Sequence, residues 1–341
     1  MNTVIIGLGG AAEHFHLPLL RRCPKLQLTA VVSSKSPEQV YRIAGKVNVF
    51  CTVEALLEVE KVDLAIVLTP NFCHFEVAKY LLENRINTVV DKPFTETVAQ
   101  AKELVKIASE NNVLLSVFHN RRWDGDFLTV KKLLAENTLG EIRYFESRFD
   151  KYKPIPGDRW KEQAFSSNGF IYDMAPHLID QMLNLFGLPI SVNASIRQLR
   201  PSSKTSDYFS IRCNYSELEV VLRSSVYAIK SPFRFYIEGT SGVYSSKFTD
   251  AKSSMVNSPL AENLENSDEI YGVINNETGE QKIRIESGEH NQYYENICEN
   301  ILMSKALKVT PSQAINVMKI IEAAKQSHVD KAEVLLSYFS P

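Results

Sequence analysis

The sequence predicts an α/β chain in two parts: an N-terminal doubly wound parallel sheet, then a second α/β domain with a large, mostly antiparallel sheet. Three observations carry this reading. Short, almost wholly apolar strands alternate with helices as far as Phe118, the pattern of a parallel sheet covered on both faces. A glycine-rich turn joins the first strand to the first helix. Later segments are longer and partly alternating, with one helix among them, as in an antiparallel sheet with one covered face.

Composition narrows the function classes. A chain of 341 residues can bury two cores. Its 44% hydrophobic and 23% charged residues are ordinary for a globular protein. A net charge of -2 and a pI near 6.4 argue against a nucleic-acid surface. Arg121-Arg122 and Lys131-Lys132 are isolated pairs that read as solvated faces. Cys23, Cys51, Cys73, Cys213 and Cys298 are scattered, with no Cys-x-x-Cys. That sets aside zinc-ribbon and thioredoxin-type readings, implies no metal, and fits a reducing cytoplasm. No signal-peptide pattern precedes the first strand and no apolar run would span a bilayer, so a cytoplasmic protein without membrane association is expected.

The first strand, Thr3-Val4-Ile5-Ile6, runs into Gly7-Leu8-Gly9-Gly10-Ala11-Ala12 and then a helix-like stretch. This Gly-x-Gly-x-x-Ala turn fits a dinucleotide pyrophosphate. The first glycine allows a tight turn, the second lets backbone N–H groups approach the phosphates, and the small third residue lets helix and strand pack closely. The helix N-terminus adds partial positive charge. The second strand, 28–32, ends at Ser33-Ser34-Lys35. A carboxylate near this point would bind the ribose 2′-hydroxyl of NAD. Two hydroxyls and an ammonium instead favour the 2′-phosphate of NADP. The same stretch also reads as an ordinary turn, because Ser36-Pro37-Glu38-Gln39 has the form of a helix cap with a first-turn proline.

The alternation continues with strands at 47–50, 62–68, 87–91 and 113–118, and helices at 53–59 and 98–111. The strand at 62–68 ends in Thr69-Pro70-Asn71, followed by a helix with His74 in its first turn. The strand at 87–91 leads into Asp91-Lys92-Pro93. Proline has no N–H to continue the ladder and holds Lys92 extended. Ligands of open α/β sheets bind beyond the carboxyl ends of the strands, so Lys92 is placed to meet one. It also reads as a solvated charge beside a loop proline.

The run from His119 to Asp124 breaks the pattern and marks a domain boundary. A helix at 127–136 and strands at 142–149, 190–197, 208–214, 218–226 and 233–238 follow. One helix, 173–186, interrupts them and ends at Gly187. The polar stretch 250–276 reads as a surface excursion. Two helices close the chain, 291–303 and one opened by the cap Thr310-Pro311-Ser312-Gln313, whose Ala314, Val317, Ile320 and Ile321 form a core face. The expected domains are 1–119 for the dinucleotide, 120–290 for substrate and dimerisation, and 291–341 as helices packing back on the first.

Asp173 and His177 lie four apart, on one face of the 173–186 helix, with Pro176 tolerated in the first turn. Asp173 equally reads as a helix cap, and His177 as a histidine satisfied by the neighbouring turn. In a hydride-transfer site the histidine would take the hydroxyl proton. A nearby ammonium would stabilise the developing alkoxide.

These motifs together resemble the Gfo/Idh/MocA family of NAD(P)-dependent oxidoreductases over essentially the whole chain. The likeness is strongest to NADP-dependent scyllo-inositol dehydrogenases and related bacterial reductases. It rests on the 118–128 run, on Phe149-Asp150-Lys151-Tyr152-Lys153-Pro154 with Arg159-Trp160, and on the 172–181 run. The resemblance implies a Rossmann first domain and a catalytic set of Lys92, Asp173 and His177. It implies that Pro70, Asn71 and His74 line the nicotinamide side, that Arg159-Trp160 reaches the cofactor, and that the Lys92-Pro93 peptide is cis. Asn120, Asp150, Tyr152 and Arg159 are candidate contacts beyond the catalytic set. Two departures stand out: Asp91 where the family has glutamate, and a glycine-rich lead-in reduced to Asn168-Gly169. The implied activity is hydride exchange between NADP(H), with NAD possible, and a secondary alcohol of a cyclitol or sugar. Rivals are an NADP-binding sugar sensor without chemistry and a redox-neutral, NAD-dependent glycosidase. The outer face of the second sheet needs cover, so a homodimer or higher oligomer is expected.

Overall fold

The computed structural model describes residues 1–158, 160–246 and 271–339. They form two compact units, one of residues 1–120 with 290–315 and the other of 121–289 with 316–341. The first unit contains β1 (Asn2–Ile6), α1 (Leu17–Arg21), β2 (Gln27–Val32), α2 (Pro37–Ala44), β3 (Asn48–Phe50), α3 (Val53–Val59), β4 (Leu64–Val67), α4 (His74–Glu83), β5 (Asn87–Val90), α5 (Val98–Glu110) and β6 (Leu115–Val117). The strands pair in the order β3-β2-β1-β4-β5-β6, every pair parallel. This is the predicted doubly wound sheet.

The apolar runs of β1, β4 and β5 are fully buried because helices cover both faces. The strand order reverses between β1 and β4, which creates the crevice where such sheets bind ligands. The expected caps form. Ser36 accepts from the Gln39 N–H while the Gln39 side chain accepts from the Ser36 N–H, with Pro37 at the first helical position of α2. Thr97 and Gln100 open α5 in the same way.

The second unit contains α6 (Gly125–Ala135), β7 (Ile142–Arg148), α7 (Phe170–Asp173), α8 (Ala175–Phe186), β8 (Ser191–Arg197), β9 (Tyr208–Asn214), β10 (Glu219–Ser225), β11 (Phe235–Gly239), β12 (Gly242–Ser246), β13 (Tyr271–Asn276) and β14 (Gly279–Arg284). Three further elements follow: α9 (Asn291–Met303) in the first unit, α10 (Pro311–Asp330), within which the division falls, and β15 (Val334–Leu335) in the second. Among the described residues the second sheet has nine strands, β14-β13-β12-β11-β7-β10-β9-β8-β15. Only β7 and β10 pair in parallel. Thr310 and Gln313 cap α10 reciprocally, and Ala314, Val317, Ile320 and Ile321 are buried as expected.

Four differences from the sequence reading have physical causes. Residues 271–276, read as part of a polar excursion, form β13; the rest of that stretch up to residue 270 lies outside the described residues. β13 pairs with β14 through a turn in which Asn276 accepts from the Thr278 N–H and hydroxyl, and Gly279 takes φ +125°. The helix expected at 173–186 is two pieces, because Pro176 has no N–H to continue the ladder from α7 into α8. Asp173 therefore ends α7 rather than capping a helix; Gly169 and Met174 take the cap positions. The scattered cysteines include one close pair, Cys23 and Cys298, both buried in the first unit with their sulfurs 3.6 Å apart.

The fourth difference is Arg121-Arg122, read as a solvated pair but almost fully buried. Arg122 grips Asp180 through two hydrogen bonds of 2.8 and 2.6 Å. Arg121 pairs with Asp124 at 2.8 Å, and Arg234 lies 3.6 Å from Asp126 and donates to Gln181 Oε1 at 2.7 Å. All of Ala175–Met182 is buried, so the polar residues of α8 must be paired inside the protein. The charged run 121–126 is therefore internal, and Arg122 together with Arg234 clamps α8 through Asp180 and Gln181. Asp180→Ala, which leaves the Arg122 guanidinium buried without its carboxylate, is expected to cost about 3–5 kcal/mol of stability in urea unfolding. Gly7→Ala is expected to cost about 1–3 kcal/mol in the same assay, since φ there is +95° and a Cβ would meet the Leu68 carbonyl oxygen at 2.8 Å.

Candidate functional site

In the first unit the glycine turn follows β1 at the point of strand reversal. Gly7 takes a conformation open to glycine alone, and its N–H donates to Val32 O at 2.9 Å. Gly9 is exposed, and a Cβ there would meet nothing within 4 Å. Gly10 and Ala11 start the helix, and Ala12 is wholly buried against the sheet. Bare, solvent-facing backbone at Gly9, a tight turn at Gly7 and a small packed residue at Ala12 fit a dinucleotide pyrophosphate. The helix then widens into a π-helical stretch, Ala12–His16, before α1 begins. Such bulges re-aim side chains and recur at functional sites.

Beyond β2, the Ser33 hydroxyl accepts the Lys35 N–H at 3.1 Å, so the ordinary-turn reading holds. Ser34 is exposed and Lys35 half-buried. Beyond β4, Thr69 and Pro70 are half-buried and Asn71 is buried. His74 is buried in the first turn of α4. Its Nδ1 lies 2.8 Å from Pro93 O and its Nε2 3.0 Å from Thr69 O. The imidazole thus lies between the loop after β4 and the loop after β5, and as a neutral ring donates to one of these two carbonyls. Burial pushes its pKa down, with the Asp91 charge and the two carbonyls opposing.

Beyond β5, Asp91 Oδ1 accepts the Lys92 N–H at 2.9 Å. Lys92 is half-buried, Pro93 is buried, and the peptide between them is cis. His16, absent from the sequence reading, is fully buried close to Asp91. Its signal was available: a histidine two residues before Pro18, within one turn of the glycine motif. Asn120, at the end of this unit's first segment, is buried.

In the second unit, Asp173 accepts from Lys161 at 3.0 Å, and Lys151 lies 3.9 Å away. Although the Lys151 side chain is 45% exposed, burial holds its ammonium below the usual lysine range. Asp173 opposes that shift; Lys161, Arg121 and Lys153 reinforce it. His177 is buried in the first turn of α8, its ring 6.3 Å from Phe149. Arg121 and Arg234 both lie over the Phe149 ring, 4.4 and 4.8 Å from its centroid. The clamp on α8 therefore also fixes the ring beside His177.

The remaining candidates hold the loops of this unit. The Asp150 carboxylate accepts from the Ser225 N–H and the Ser231 hydroxyl. Tyr152 is exposed and bridges Tyr227. Trp160 is half-buried, and its carbonyl accepts from Asn168 at 2.6 Å. Buried Arg200 pairs with Asp207 and Glu162, and Glu162 also pairs with Lys153, which anchors the segment carrying Trp160. Arg159 lies outside the described residues. Gly169 takes φ +90°, and a Cβ there would strike Ser206 Oγ at 2.5 Å. The reduced lead-in thus keeps the one glycine the start of α7 demands. No helix among the described residues is long and apolar enough to cross a membrane.

Comparison with known proteins agrees with this geometry. Residues 1–119 match the family described as oxidoreductase family, NAD-binding Rossmann fold, and residues 131–336 match its C-terminal alpha/beta domain. The chain is 38% identical to the uncharacterized oxidoreductase YdgJ of Escherichia coli, with 98% of each chain covered. It is 32% identical to the scyllo-inositol 2-dehydrogenase (NADP(+)) IolW of Bacillus subtilis, covering 98% of this chain and 95% of that one. Among solved structures, an oxidoreductase from Yersinia pestis superposes with a TM-score of 0.88 at 36% identity, over 98% of this chain and 97% of that one. The chain therefore belongs to the Gfo/Idh/MocA family, and is an NAD(P)-dependent oxidoreductase whose first domain is an NAD-binding Rossmann fold.

Proposed function

We propose that the protein exchanges a hydride between NADP(H) and a secondary alcohol of a cyclitol or sugar. The observation that carries this reading is a lysine, Lys92, at the carboxyl edge of the parallel sheet, after the strand next to β4, on the same edge as the glycine turn. The similarity to a scyllo-inositol 2-dehydrogenase supports a cyclitol. When bound, the nicotinamide supplies the hydride acceptor or donor.

The chain's own residues do the rest. The backbone from Gly7 to Ala12 holds the pyrophosphate. Ser34 and Lys35 take the 2′-phosphate, with no carboxylate at 33–35 to repel it. Thr69, Pro70 and Asn71 border the nicotinamide, with His74 buried between their loop and Pro93. In oxidation, His177 takes the hydroxyl proton at an imidazole nitrogen while the Lys92 ammonium stabilises the charge developing on that oxygen. Asp173 binds a neighbouring substrate hydroxyl, its charge held by Lys161. Asn120, Asp150, Tyr152 and Trp160 serve as contacts to substrate or cofactor. The protein works in the cytoplasm as a homodimer joined through the outer face of the nine-stranded sheet.

Stopped-flow absorbance of the NADPH-loaded protein against polyols and the matching ketones tests the reaction. Net oxidation or reduction supports it. Binding with no absorbance change indicates a sensor, and substrate cleavage with no net change indicates the redox-neutral reaction. Lys92→Ala is expected to abolish turnover of scyllo-inositol while NADPH affinity, followed by fluorescence, stays within about threefold. Gly9→Ala is expected to leave urea stability unchanged yet weaken NADPH binding at least about tenfold, since a new Cβ would enter the space the pyrophosphate occupies. Lys35→Ala should weaken NADPH about tenfold and leave NADH unchanged, because a single charge-assisted contact to the 2′-phosphate is lost.

A further inference from the structure

His16 is a buried histidine that the proposed chemistry does not use. It closes the π-helical stretch after the glycine turn and is 0% exposed. Its ring stacks on Phe118, with centroids 3.9 Å apart, and Tyr294 of α9 packs against both rings. Nδ1 lies 2.6 Å from the Tyr294 hydroxyl. Nε2 has no hydrogen-bond partner among the described residues and faces Asp91 Oδ1 at 3.9 Å. That oxygen is the one that accepts the Lys92 N–H.

The tautomer follows from these contacts. A proton on Nδ1 would leave a bare Nε2 lone pair pointed at a carboxylate in a buried setting, which is unfavourable. A proton on Nε2 points toward Asp91 and lets Nδ1 accept from the Tyr294 O–H. Tyr294 is itself fully buried, and burial pushes its phenol pKa well up, so it stays a donor.

We infer that His16 is a positioning residue for the reaction: with Tyr294 it orients the Asp91 carboxylate, which in turn holds the Lys92 backbone and so sets the height of the lysine at the sheet edge. The inference rests on Lys92 acting at the reacting oxygen, as proposed above. The chain of contacts runs from Tyr294 O–H to His16 Nδ1, from His16 Nε2–H toward Asp91 Oδ1, and from the Lys92 N–H to that same oxygen. Every member lies within the first unit. The π-helical register puts the ring there, since the added residue in that turn displaces every later side chain from its α-helical position.

The test uses the full chain labelled with 15N-histidine. Long-range proton–nitrogen spectra are expected to show His16 protonated at Nε2 and not at Nδ1, with the ring signals moving in Asp91→Asn and staying put in the distant control Asn48→Ala. Loss of one signal set in His16→Gln assigns the residue; if that variant does not fold, the shift of Nδ1 in Tyr294→Phe assigns it instead. With scyllo-inositol and NADP+, His16→Gln and Asp91→Asn should each lower kcat about tenfold to a hundredfold, the loss a small misplacement of a reacting group produces. The KM for NADP+ should change by no more than about twofold, and the double variant should be no worse than the poorer single variant. An Nδ1–H tautomer, ring signals indifferent to Asp91→Asn, or multiplicative losses in the double variant would overturn the inference. If the unaltered protein does not oxidise scyllo-inositol, the proposed substrate falls, and the spectra alone decide whether His16 is coupled to Asp91.

Discussion

The close approach of two parallel strands, β1 and β4, governs what the first unit can do. Where β1 ends, its backbone passes within van der Waals distance of the Leu68 carbonyl, which leaves no room for a side chain at position 7. Only a residue without Cβ, at positive φ, satisfies both the contact and the turn. Everything at that edge follows from this. The chain turns at once, the next backbone groups face solvent at Gly9, and Ala12 packs down on the sheet. The strand order reverses at this same pair, so the crevice and the bare backbone coincide.

Buried polar side chains then do the positioning that apolar packing cannot, because packing is non-directional whereas a hydrogen bond fixes an atom. In the first unit His74 sits buried between two strand-end loops, within hydrogen-bond distance of a carbonyl oxygen from each. In the second, Arg122, Asp180, Arg234 and Gln181 hold α8 in a fixed orientation. Such groups are costly to bury and add little net stability over apolar packing. Their worth lies in geometry: the same helix presents His177 in its first turn, beside a Phe149 ring that two guanidinium groups contact.

Local patterns were readable wherever one short-range cause acts. The Ser36-Pro37-Glu38-Gln39 and Thr310-Pro311-Ser312-Gln313 caps form as read, because a cap is decided within four residues. The parallel strands were readable from their apolar runs. β12, β14 and β15 are not legible in the sequence: β14 and β15 are short or polar strands at the two edges of the sheet, and the short β12 is held by β11 and β13 on either side. Arg121-Arg122 was misread for a related reason. A charge pair looks solvated until Asp180, 58 residues away, supplies the partner that allows burial.

The amino-acid sequence alone determined the fold class, the glycine turn, the helix boundaries set by caps and proline, and the residue types able to carry hydride chemistry. Each depends on local sterics and hydrogen bonding between near neighbours in the chain. Tertiary structure decided which polar residues are internal and that His16 and Tyr294 meet across 278 positions of sequence. Those outcomes depend on contacts between distant segments, which no local pattern of residues encodes.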